Sequence, residues 1–318
     1  MLNVLTISGT IFALIAAGYF AVLKNVFAAP ELRVLGKYVI NFAVPALIFR
    51  AVSSRSPGEV LNTGYLTAFL ITSVVLFFFG YHLAKRGFRM SRAESTFHGM
   101  GMSCSNSGLI GYPIVVMALP SMAGTALALN MIVETLVMIP LVLIMAERAS
   151  GGGKITLDTG RQIAVKVLLN PFIIAIIFGM TVSLSGLQLP EIVSKPIGLL
   201  ASSSVAVSLI VIGGTLAGLP LGAVNLKIAA VVLGKLVLMP AMLATCLAIL
   251  TAFGLGTGDP VLETAGLLMV ATPAMATYPI LAQSYGQENT AALAMFAMTI
   301  LSFFTISALM WFLQIGAG

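Results

Sequence analysis

The stretch SCSNSGLIGYP, Ser103–Pro113, lies inside a run of sequence otherwise apolar enough to cross a bilayer. It collects serines, an asparagine, two glycines and a proline where a spanning helix carries leucines. Breaking a helix in hydrocarbon exposes backbone polar groups, at a cost of several kcal/mol each unless protein or a water-filled cavity receives them. The stretch therefore reads as two half-helices interrupted at Asn106, a favoured N-cap residue. A second interruption, ATPAMATYP at Ala271–Pro279, has Thr272-Pro273 placed as an N-cap followed by proline at the first helical position. Gly108, Pro113, Pro273 and Pro279 are the helix-breaking positions, and Pro113 and Pro279 each remove a backbone bond further along.

The surroundings fit this reading. Of 318 residues, 59% are hydrophobic and 8% charged, against about 25% charged in a soluble domain. A span needs about 20 mainly apolar residues. Ten such stretches are centred near 13, 42, 72, 106, 135, 175, 207, 238, 272 and 301. The longest polar connection, from about Glu147 to Lys166, is too short for a soluble domain. The opening residues have no basic n-region, so the first span is expected to be retained rather than cleaved as a signal peptide. Cys104 and Cys246 fall within spans and form neither a disulfide framework nor a metal-ligand spacing. No cofactor or metal is expected.

The net charge of +6 is explained by topology rather than by nucleic acid. Of sixteen Lys and Arg, twelve fall on one side: Lys24, Arg33, Lys37, Lys85, Arg86, Arg89, Arg92, Arg148, Lys154, Arg161, Lys166 and Lys227. Arg50, Arg55 and Lys195 fall on the other, and Lys235 lies inside span eight. The positive-inside rule then places both termini outside the cytoplasm.

Ten spans with outward termini divide into two oppositely oriented halves, 1–160 and 161–318, the inverted repeat of secondary transporters. YPIVVMALPSMAGTALALN from Tyr112 aligns without gaps on YPILAQSYGQENTAALAMF from Tyr278 with six identities, pairing Asn106 with Thr272, Ser107 with Pro273 and Pro113 with Pro279. Spans four and nine would then bring two helix N-termini together at the midplane, where their partial positive charge suits a carboxylate. The competing reading is a proline kink packed against neighbouring helices.

NSGLIGYP, NPFIIAIIFG at Asn170, GKLVLMP at Gly234 and ATPAMATYPILAQSYG at Ala271 together resemble the auxin efflux carrier family. The likeness runs the length of the chain. Ser105 stands where plant carriers tend to have proline, and the large plant loop between spans five and six is a short basic linker here. The resemblance implies an all-α integral membrane fold similar to bile-acid sodium symporters and sodium-proton antiporters, with broken helices four and nine crossed. It further implies a dimerising scaffold of spans one, two, six and seven. Spans three to five and eight to ten would form a transport domain moving as an elevator. The cargo implied is a small organic anion, such as malonate, malate or an indole acid, carried across the plasma or bacterial inner membrane.

Asn106, with donor and acceptor at the break, is the first candidate for substrate contact, and Thr272 is its repeat mate. Ser105, Ser107 and Thr277 supply hydroxyls that serve substrate or helix backbone equally well. Tyr112 and Tyr278 line the cavity or pack the crossing. Glu134, one turn after Asn130, and Lys235 are ionisable groups deep in spans. They read as a structural ion pair, or as a protonation pair with Asn130 and Gln283 nearby. Neutralisation alone accounts for both charges. His98 reads as a solvated interfacial residue. Pro45 is expected to kink span two, and Gly214 with Gly218 to form a helix-packing pair.

SNSG resembles the nucleophile motif of rhomboid proteases, but that chemistry needs a histidine on a later span, and His82 and His98 both precede Ser107. An enzyme is therefore not expected. A channel or receptor on the same fold is the remaining rival, along with a sodium symporter of larger organic anions. Neither interrupted segment contains a carboxylate, which favours proton coupling or uniport over sodium symport.

Overall fold

The computed structural model describes residues 2–55, 58, 61–149, 161, 164–165, 167–217 and 225–315. The expected boundary at residue 160, the basic residues Lys154 and Lys166, and Gly218 lie outside the described residues. Apart from one isolated bridge, regular structure among the described residues is helical. The first half contains α1 (Leu2–Leu23), α2 (Pro30–Ser53), α3 (Thr63–Gly87), α4 (Arg92–Ser103), α5 (Ser107–Ala118) and α6 (Ala123–Ala149). The second contains α7 (Pro171–Ser185), α8 (Glu191–Ala217), α9 (Leu226–Ala252), α10 (Pro260–Val270), α11 (Tyr278–Gln283) and α12 (Glu288–Phe312).

Helices α2, α3, α6, α8, α9 and α12 are long and apolar enough to cross a membrane. Large apolar side chains such as Phe42, Phe79, Phe178, Leu199 and Phe304 face outward, as bilayer solvent requires and water does not favour. Helix starts carry their polar caps. Asn62 accepts from Tyr65, Ser91 and Glu94 form a capping box, and Asn170, Asn225 and Asp259 cap α7, α9 and α10.

Among the described residues five turns widen to π geometry, and four of them precede a proline by the same spacing. These are Val39–Ala43 before Pro45, Ser107–Gly111 before Pro113, Glu134–Met138 before Pro140, and Gly234–Leu238 before Pro240. A proline in a continuous helix lacks an N–H and drives its ring against the carbonyl four residues back. One extra residue in the preceding turn relieves that clash, so these helices continue past their prolines. Pro45 therefore follows a wide turn within α2. The same device puts Glu134 and Lys235 on wide turns of α6 and α9.

Helix α1 packs on α8, and α2 packs on both α7 and α8. Gly213 and Gly18 make the closest approach, since a Cβ on either would overlap backbone of Ile15 or Ile210 respectively. The expected contact at Gly214 takes another form: it packs against the Leu32 and Val22 side chains. In a second set of contacts α3 packs on α4 and α9, α4 on α6, α6 on α10, and α12 on α9 and α11. The two sets meet where α2 touches α6, α8 touches α5 and α1 touches α12.

Candidate functional site: a crossing of two unwound segments

The chain unwinds between α4 and α5 and again between α10 and α11, and the two gaps meet. Ser105 and Ala274 form an antiparallel bridge, and the Asn106 N–H donates to the Pro273 carbonyl at 2.9 Å. Each extended segment thus satisfies part of the backbone that the other leaves exposed. Asn106 Oδ1 accepts from Leu109 N–H at 3.3 Å, capping α5 as expected. Its amide nitrogen has no hydrogen-bond partner among the described residues, leaving a donor at the break.

The second break differs from expectation. Thr272 does not cap a helix: its hydroxyl donates back to the Met269 carbonyl at 2.7 Å, closing the end of α10. Pro273 lies in the extended segment, and α11 begins only at Tyr278, with Pro279 in its first turn. Pro279 consequently removes no interior bond. Only α5 has its N-terminus at the crossing, so the picture of two opposed N-termini is replaced by one helix terminus facing an extended strand.

That terminus already has a carboxylate. Glu134 Oε1 accepts from Ser105 N–H at 2.9 Å and from the Ser107 hydroxyl at 3.3 Å. The Lys235 ammonium donates to Ser105 Oγ at 2.9 Å, to the Val270 carbonyl at 2.5 Å and to Met239 Sδ at 3.2 Å. Glu134 and Lys235 therefore meet through Ser105 and form no direct ion pair. The chain continues: Asn130 Nδ2 donates to Ser107 Oγ at 3.1 Å, and the Tyr65 hydroxyl donates to Asn130 Oδ1 at 2.8 Å. Tyr65, Asn130, Ser107, Glu134, Ser105 and Lys235 are all buried, so the network links α3, α6, α9 and the first break in low dielectric. One atom is left over: Glu134 Oε2 is buried without a partner.

Sequence reasoning placed Ser105 and Ser107 among the substrate contacts and Asn130, Glu134 and Lys235 in a separate coupling group, whereas the structure joins the two in one network. It did not find Tyr65, whose only signal was a tyrosine amid apolar residues of α3. It misplaced Gln283, which is exposed at the end of α11 and outside this network. Thr277 precedes α11 with its hydroxyl unpartnered, and Tyr278 is buried against Gly101. Gly108 is partly open and faces Val44 of α2. His98 is buried against Phe88, not solvated, because α4 packs inside the helix bundle. The argument against sodium from the lack of a carboxylate in the two segments also fails, since Glu134 reaches the crossing from α6.

Beside the crossing, a cavity of about 520 Å³ opens between α2, α5, α6 and α8. Leu47, Arg50, Ser54, Tyr112, Thr125 and Ser202 contribute to its wall. From the sequence alone Arg50 and Arg55 are loop charges. Arg55 is tied to the Ser121 carbonyl, whereas the Arg50 guanidinium has no ion-pair or hydrogen-bond partner among the described residues.

Residues 7–311 match the family model described as membrane transport protein, Mem_trans. The chain belongs to this family, that of the auxin efflux carriers. Among its relatives is a Rhizobium meliloti (strain 1021) protein named "Putative malonate transporter", 25% identical over 308 residues, 96% of this chain and 94% of that one. An Escherichia coli (strain K12) protein, "Uncharacterized transporter YfdV", is 22% identical over 211 residues, 65% of this chain and 67% of its own. The protein is an integral membrane transporter with a small-molecule substrate.

Proposed function

We propose that this auxin efflux carrier family member is a secondary transporter of a small organic anion, a carboxylate of the malonate or malate kind, held at the crossing and moved by elevator-type alternating access. The observation that carries this reading is the crossing itself, with the free Asn106 amide donor at the start of α5. A helix N-terminus with an unused donor beside a basic cavity suits a carboxylate. The malonate transporter relative supports the substrate class.

The packing supports a division of labour. Helices α1, α2, α7 and α8 would serve as the scaffold, in a homodimer, and α3–α6 with α9–α12 as the moving body that carries the crossing. The charge count supports an inner-membrane orientation with both termini extracytoplasmic. Coupling runs through Glu134, whose orphan Oε2 would take a proton, with Lys235, Tyr65 and Cys104 as the other titratable groups around it. The same orphan oxygen favours sodium as the second coupling reading.

The test is thermal stabilisation of purified protein by malonate, malate, succinate and indole-3-acetate, with and without sodium, in wild type and Asn106→Ala. A ligand that binds the native state raises its apparent stability. Stabilisation by a carboxylate that disappears in Asn106→Ala is the expected result, to be followed by counterflow in liposomes. Stabilisation that survives the substitution moves the site away from the break and reduces Asn106 to a helix cap.

A further inference from the structure

The cavity between α2, α5, α6 and α8 has a charge pattern that the crossing alone does not explain. Two arginines and no carboxylate are among its described lining residues. Arg55 is engaged by the Ser121 carbonyl, which pins the end of α2 to the turn before α6. Arg50, five residues earlier and in the last turn of α2, is exposed and lines the cavity, with one guanidinium nitrogen 3.9 Å from where a Cβ on Gly198 would stand. Tyr112 of α5 and Thr125 of α6 line the same cavity. Thr125 is buried, yet its hydroxyl has no partner, although a helical threonine normally returns that bond to its own backbone.

Position relative to the break matters as much as charge. Val44 of α2 faces Gly108 at the start of α5, with 3.8 Å between Val44 Cγ1 and a Cβ built on Gly108. Arg50 follows Val44 by six residues, which is about 9 Å along a helix. Tyr112, one helical turn beyond Gly108, lines the same cavity as Arg50. A short ligand anchored at Asn106 would have its far end on this side.

We propose that the cavity is an anion-binding vestibule and that Arg50 is its specificity-determining residue. The planar guanidinium takes, in bidentate fashion, the acidic group of the ligand that is not held at the break. The half-buried Tyr112 of α5 stands on the same cavity wall. Arg50 thereby selects dianions with two acidic groups on a short chain over monoanions of the same length. The inference rests on the transport reading above, because it presupposes a first carboxylate at Asn106.

Malonate and propionate, of equal carbon number but with two and one carboxylates, are the probes. Binding by thermal shift and uptake into proteoliposomes are measured for wild type, Arg50→Gln, Arg50→Lys and Asn106→Ala, after the ligand-free unfolding curves have been matched. Arg50→Gln should weaken malonate by about tenfold or more, as expected for losing a charge-assisted contact, and change propionate by less than about twofold. Arg50→Lys should fall between, since a lysine keeps charge but not the fork. Equal loss for both probes, or unchanged malonate preference in Arg50→Gln, overturns the inference. In that case sensitivity to Asn106→Ala still supports transport at the crossing. Failure of both probes to bind wild type overturns the carboxylate reading and the vestibule with it.

Discussion

Ser105 stands between two opposite charges: its N–H donates to the Glu134 carboxylate and its Oγ accepts from the Lys235 ammonium, each at 2.9 Å. Neither charge is exposed, so removing one leaves the other without compensation in low dielectric. Lys235→Met should lower the stability of detergent-solubilised protein by about 3–5 kcal/mol, and Glu134→Gln combined with it should recover most of that loss. Thermal unfolding of the two single variants and the double variant measures the coupling. Additive losses would mean that the two groups act independently, despite the serine between them. The residues themselves were legible, because ionisable groups in a span stand out. Their connection was not, because the mediator is a serine on a different helix gap, and hydroxyls in membranes have many other uses.

At the scale of elements, two local devices shape the bundle. Prolines are carried within long helices by the wide turns ahead of them, and glycines allow helix backbones to touch. The sharper consequence is at Gly213, where α8 meets α1 at Ile15. Gly213→Leu should destabilise by about 1–3 kcal/mol or more, since backbone cannot yield as a flexible side chain does. Gly9→Leu on the open side of α1, where a Cβ meets nothing, is the control. Equal melting temperatures for the two variants would refute the contact. The sequence pointed to Gly214, which packs against the Leu32 and Val22 side chains, but did not single out Gly213, because a small-xxx-small spacing on one helix does not show which face meets neighbouring backbone. It likewise saw both helix breaks but set the restart of the second at Thr272. Thr-Pro is a good local start signal, and the crossing overrides it by keeping that segment extended.

Across the whole molecule, the connection between α11 and α12 is tied to the end of α6. The Tyr285 hydroxyl donates to Glu147 at 2.8 Å, and its ring stands 5.4 Å from that of Phe97. Burial first, and the Glu147 carboxylate second, push the Tyr285 phenol up to about 12 from 10.0. The folded state therefore favours the protonated phenol. Its contribution is complete below pH of about 10 and is lost as the pH rises through about 12. Tyr285→Phe should accordingly lower the melting temperature by the same modest amount at pH 6 and pH 9. A loss that grows between those two values would mean that the phenol ionises earlier than this contact allows.

By itself the sequence determined that the chain lives in a membrane, that two of its apolar segments are interrupted by polar runs, and that it resembles a transporter family. Composition, length of apolar runs and local helix-breaking chemistry are properties of neighbouring residues, so they can be read along one dimension. Only the tertiary structure decided that Ser105 bridges Glu134 and Lys235, that Tyr65 and Asn130 extend the network, and that Arg50 faces a cavity beside the break. Those facts join α2, α3, α6, α8 and α9, and contacts between distant helices depend on rotation and depth, which a nearly uniform apolar pattern leaves unspecified.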